Sequence, residues 1–180
     1  ATVSDITING KRGIKNNTSS AILDIENSQL VATTTAVENV GTLTIDGGTY
    51  TGTSYGIYDN STKTNTVSNV NTNIMYVNAA SIDELDNLAI TSSITNNNAN
   101  GNVTLTDSNI SSSITNKGVM EINSSDLNTK IRTEIKINID PCRWAGQTFI
   151  QRNEDKDMSK IINGRSYYLV DIIYDDCFNL

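Results

Sequence analysis

The chain has 180 residues, a formal net charge of -7 and no histidine, with 37% hydrophobic and 6% aromatic residues and a single proline. The missing histidine removes Ser-His-Asp and Cys-His centres and His-ligated zinc. The acidic balance, with no basic stripe, speaks against nucleic acid as a partner, and no stretch approaches the roughly 20 apolar residues of a membrane-spanning helix.

Asn, Ser and Thr fill 66 positions and Ile alone fills 23. Disordered chains lack β-branched residues, whereas this one is rich in side chains that pack well on a pleated surface. The chain opens at Ala1 without a charged-then-apolar leader, and a repeat is under way by Asp5, which reads as a piece excised from a longer protein.

The repeat is about twenty residues long. Residues 36–50 align with 113–127 without a gap, and residues 14–30 with 94–110. Its first element is an apolar residue followed two positions later by Asn or Asp. It occurs as Ile14/Asn16, Val37/Asn39, Ile57/Asp59, Tyr76/Asn78, Ile94/Asn96 and Ile114/Asn116, with spacings of 23, 20, 19, 18 and 20. The second element is apolar-x-apolar, a small residue and a further apolar residue. It runs Leu23, Ile25, Ser28, Leu30, then Leu43, Ile45, Gly48, Tyr50, and returns as Val103, Leu105, Ser108, Ile110 and as Met120, Ile122, Ser125, Leu127. The units beginning at Ile57 and Tyr76 are looser, with Val67, Val70 and Ile74, then Leu85, Leu88 and Ile90.

Period-two alternation sends every second side chain to one face of a strand. Each unit has too few inward positions for a core of its own, so the units must stack, each strand bonding to those above and below. Asn16, Asn39, Asp59, Asn78, Asn96 and Asn116 are then expected to form a structural ladder along the axis, and Asn also tolerates the left-handed backbone of a tight corner. The fold class predicted is all-β: a parallel β-helix of about six turns over residues 1–128, with a β-rich C-terminal cap. The alternative is a β-sandwich with turns every 8–12 residues.

The segments GTLTIDGGTY at 41–50 and YGIYDN at 55–60 resemble right-handed parallel β-helix repeats, the pectin-lyase-like fold of large bacterial cell-surface proteins and some phage tail proteins. The resemblance spans roughly residues 5–128 and implies a right-handed coil and an extracellular or cell-surface bacterial location. Ice-binding solenoids share the Thr content but need regular Thr-x-Thr ranks; Thr42/Thr44 and Thr104/Thr106 occur without recurring in every unit.

Residues 129–180 hold 8 of the 13 basic residues, both cysteines and the only tryptophan. Ile131, Ile135, Ile137 and Ile139 alternate as one long strand ended by Asp140 and Pro141, residues 147–151 and 166–174 read as two more, and Asn163-Gly164 reads as a turn. Such a segment suits a cap over an open solenoid end, the alternative being the start of a following domain. Cys142 and Cys177 are candidates for a disulfide, against the alternative of two free thiols.

For chemistry there are three weak candidates. Asp83, Glu84 and Asp86 form an acidic cluster; Asn153, Asp155 and Asp157 have the opening spacing of an EF-hand loop without its glycine; Lys11, Arg12 and Lys15 lack an acidic partner in their own unit. No catalytic residue, metal or cofactor is assigned. Tyr50, Tyr55, Tyr58 and Tyr76 are available to stack on sugars. The expectation is a non-enzymatic structural or adhesive module of a bacterial surface or secreted protein, a stiff rod touching polysaccharide or host-surface protein. The alternatives are a fragment of a polysaccharide-binding or polysaccharide-degrading β-helix and a trimeric phage tail-fibre segment.

Overall fold

The computed structural model describes residues 1–128, 130–133, 136–140, 143–144, 159–162 and 165–168. Among these, every regular element is a strand, and all pairings but one are parallel. The chain winds as a solenoid with three strand positions in each coil, so the coil offers three faces.

On the first face, Ile14–Asn16, Thr35–Asn39, Tyr55–Asp59, residues 74–77, residues 93–96, Ser113–Asn116 and Lys130–Thr133 stack in order. Their inner residues follow one line: Ile14, Val37, Ile57, Met75, Ile94, Ile114, Ile131. Six turns separate Ile14 from Ile131, a rise of about 29 Å at the usual strand spacing. The second face begins at Thr2–Ser4 and includes Ile82–Asp86, Asn102–Thr106, Val119–Asn123 and Lys136–Asp140. The third begins at Thr7–Gly10 and ends at Arg143–Trp144. The core is the column these inner rows enclose, filled by Ile25, Ile45, Val67, Leu85, Leu105 and Ile122 on the second face and by Leu30, Tyr50, Ile90, Ile110 and Leu127 on the third.

One corner explains how each coil turns. Between the second and third faces each described coil enters the left-handed region: Asp5, Asn27, Gly47, Asn69, Asn87, Asp107 and Ser124 have φ from 46° to 75°, and Gly48 after Gly47 has φ 108°. Asn and Asp reach this conformation because a short polar side chain bonds locally, and Gly47 because it has no Cβ. Ser28, Ser108 and Ser125 follow the bend rather than make it, whereas Gly48 is part of it. Ser28, Ser108 and Ser125 use their hydroxyls there, each donating to the carbonyl two residues back, and the Ser108 and Ser125 oxygens accept the backbone N–H of Leu88 and Ser108 from the preceding coil.

Two readings of the sequence change. The fourth unit lies in a different frame: Met75 and Val77 point inward and Tyr76 and the residue after Val77 do not share the ladder's slot, since Ile57 pairs with Met75 and Asp59 with Val77. The frame is decided by burial, for it hides the thioether and the isopropyl group and leaves a phenol outside. Also, parallel pairing continues beyond residue 128. Lys130–Thr133 and Lys136–Asp140 are two strands on two faces rather than one long strand. Ser159–Ile162 and Arg165–Tyr168 form an antiparallel pair with two residues between them. The segment 147–151, the Asn163-Gly164 turn, Cys142, Cys177 and the Asn153/Asp155/Asp157 spacing lie outside the described residues.

Candidate functional site

Two rows of side chains flank the first face, one buried and one outward. The buried row is the ladder. Asn16 Nδ2 donates to Asn39 Oδ1 at 2.9 Å, and Asn39 Nδ2 donates to Asp59 Oδ1 at 2.6 Å. Higher up, Asn96 Nδ2 donates to Asn116 Oδ1 at 3.0 Å, and Asn116 Nδ2 to Thr133 Oγ1 at 3.2 Å. Each amide also closes its own corner: Asn39 and Asn116 bond both the N–H and the carbonyl of Gly41 and Gly118, two residues on. A buried amide must spend its donors and acceptors, and this geometry spends them on corner backbone and on the next coil.

Asn78 is not part of this row. Val77 occupies the slot between Asp59 and Asn96. Asn78 belongs instead to an outer ladder, its Nδ2 donating to Asn60 Oδ1 at 2.9 Å and its Oδ1 accepting from Asn97 Nδ2 at 3.1 Å. The buried polar network sidesteps Val77 through the second face. There Leu23, Leu43, Val103 and Met120 fill one inner row, while Asn65 and Asp83 stand in the middle of it. Asn65 Nδ2 donates to Asp59 Oδ2 at 3.2 Å and to Asp83 Oδ1 at 3.3 Å, and Ser81 Oγ donates to Asp83 Oδ2. Polar and apolar residues have exchanged places within one coil. That exchange is why the units at 57 and 76 look irregular.

The acidic cluster at 83–86 is thereby dispersed. Asp83 is buried, whereas Glu84 and Asp86 are exposed on the opposite side of Ile82–Asp86. The outward row of the second face runs Asp24, Thr44, Thr66, Glu84, Thr104, Glu121, so charges interrupt the Thr rank.

The outward row of the first face carries the most distinctive surface. Lys15, Glu38, Tyr58, Tyr76, Thr95 and Thr115 succeed one another up the axis. Lys15 Nζ meets Glu38 Oε1 at 2.8 Å, so the cationic cluster of the first coil finds its acidic partner in the next coil. An open pocket of about 110 Å³ adjoins this pair and is lined also by Arg12, Thr34 and Thr35. Above it, Tyr55 lies 5.0 Å from both Tyr58 and Tyr76 by ring centroid, and Tyr58 and Tyr76 stack at 5.8 Å and 14°. Partial burial raises the pKa of both stacked phenols, helped at Tyr58 by the neighbouring rings and Glu38. Tyr50, by contrast, is core: it is fully buried and its Oη donates to the Gly47 carbonyl at 2.9 Å.

Among the described residues no group of three or more acidic or cysteine side chains is arranged to hold a metal, and no helix is long and apolar enough to cross a membrane. No family model, curated protein or solved structure matches the chain.

Proposed function

We propose that the chain is a structural and adhesive module of a bacterial surface or secreted protein, a rod of right-handed pectin-lyase-like β-helix that touches its partner along one face. The observation that carries the reading is the unbroken parallel register from Ile14 to Ile131, in which each coil passes its hydrogen-bonding edge to the next. Such stacking favours length and stiffness over a closed cleft. The contact surface assigned is the outward row with Tyr55, Tyr58 and Tyr76 beside the Arg12 pocket, because half-exposed aromatic rings with a polar tip are enriched at binding surfaces.

A second reading, a polysaccharide-binding fragment, draws on the same tyrosines, whose rings suit the apolar faces of sugars. The fibre reading draws less support: of the exposed large apolar residues, Ile22 and Ile82 share a row but are separated by Thr42 and Thr64, and Val31 lies on the third face. Binding of the purified chain to immobilised glycans and to host extracellular-matrix proteins, compared with Tyr58→Ala/Tyr76→Ala, tests the assignment. Binding to either panel that falls at least tenfold in the variant supports it. Equal binding by both proteins, or none to any surface, overturns it.

A further inference from the structure

Asp59 and Asp83 are 1% and 0% exposed, and they sit on successive coils around the shared amide of Asn65. Asp59 stands where the ladder elsewhere has neutral Asn39, Asn96 and Asn116, and Asp83 stands in a row otherwise occupied by Leu23, Leu43, Val103 and Met120. Every surrounding ionisable group faces away. Glu38, Tyr58 and Tyr76 lie on the outward row of the first face; Asp46, Glu84 and Asp86 are exposed on the second. Lys63, on the corner between Asp59 and Asn65, is exposed; its backbone N–H donates to Ser61 Oγ and its carbonyl accepts from the Ile82 N–H. Among the described residues the sole salt bridge is Lys15–Glu38, so neither buried carboxyl has a cation. Two carboxylates in one dry column with no counter-charge are costly to ionise together.

We propose that Asp59 and Asp83 are a buried proton-binding pair that holds the middle coils of the solenoid closed in acid and loosens them as the pH rises. The hydrogen bonds accommodate the proton. Ser81 Oγ bonds Asp83 Oδ2, so a protonated Asp83 donates its O–H to Ser81 Oγ and leaves the hydroxyl hydrogen free to turn toward Asp59. Both acids still accept from Asn65 in that state. Burial raises Asp59 to about 6, and burial with the charge of Asp59 raises Asp83 to about 7. In an unfolded chain both acids titrate near pH 4. From about pH 4 to pH 7 the folded coils therefore hold more protons than the unfolded chain, and stability falls as pH rises, levelling once both are ionised.

Hydrogen exchange of the whole chain at pH 5 and pH 8.5, corrected for the intrinsic rate, tests this with an internal control. Opening of residues 57–86 is expected to rise about tenfold or more relative to residues 103–127, whose inner rows carry no acid. The Asp59→Asn/Asp83→Asn variant is expected to abolish the difference. An equal pH response of the two segments in the native chain overturns the proposal, whether or not the variant folds, and so does a difference that survives in a folded variant.

Discussion

Asn96 Nδ2 donates to Asn116 Oδ1 one coil above, and the same nitrogen faces the carbonyl oxygens of Gly101 and Val119. Three acceptors converge on one amide that is fully buried. Truncation at this position removes a buried donor from all three, so Asn96→Ala is expected to lower stability by about 1–3 kcal/mol in urea unfolding. Asn96→Asp is expected to be worse, because it sets a carboxylate against three oxygens. Asp59 avoids that conflict, since Asn39 and Asn65 both donate to it. An Asn96→Asp variant as stable as the native chain at pH 7 would contradict this account of the ladder.

The left-handed corner makes a separable prediction. Asp107 has φ 48° and is exposed, which leaves its backbone as the main determinant of its effect. Replacement by Gly is expected to leave stability within a few tenths of a kcal/mol, while Asp107→Val is expected to cost about 1–2 kcal/mol from the strain of a β-branched residue in that region. Chemical denaturation of the pair decides it, and equal midpoints would contradict the assignment of the bend.

The inner rows of the regular coils were legible in the sequence because alternation is a local signal: Ile94 with Asn96 and Val103 with Leu105 follow from period two alone. The frame at Met75 was not, because Tyr76 and Asn78 copy the ladder pattern one residue late and only burial of Val77 distinguishes the two registers. The displacement of polar groups to Asn65 and Asp83 depends on neighbours 6 and 18 residues away, which no window along the chain brings together. Left-handed backbone was expected at the asparagine ladder, yet it lies at the opposite corner, where Asn27, Asn69 and Asn87 share the task with Asp107 and Ser124. The Lys15–Glu38 pair was hidden for the same reason as the network: its partners are brought together by the stacking of coils.

Tyr50 offers a test in alkaline solution. Its phenol is pushed up to about 12, chiefly by burial, against a backbone hydrogen bond that lowers it and the charge of Asp46 that raises it. An unfolded tyrosine titrates near 10. The contribution of the neutral phenol is therefore fully present below about pH 10 and is lost as the pH rises toward 12. Tyr50→Phe removes the titrating group and the bond to Gly47, so it is expected to cost about 1 kcal/mol at pH 8 while flattening the fall above pH 10. Thermal midpoints measured across that range check both halves.

Val77 and Asp83 provide the strictest test of the exchanged rows. Val77 fills the ladder slot between Asp59 and Asn96, and Asp83 fills a place otherwise given to Leu43 or Val103. Asp83→Leu alone removes an acceptor from Asn65 and from Ser81. Val77→Asn alone adds an amide beside a network already complete. Together they restore the arrangement of Asn39 and Leu43, with an amide able to donate to Asp59 and a leucine between Asn65 and Val103. The double variant is expected to be more stable than the sum of the single changes by about 1–2 kcal/mol, within the range of coupling for contacting residues. It is also expected to reduce the pH dependence of residues 57–86 to the share of Asp59, whose carboxyl stays raised by burial once the second buried acid is gone. Additive effects in a double-mutant cycle, read from urea midpoints at pH 5 and pH 8, would show that the two positions do not exchange roles.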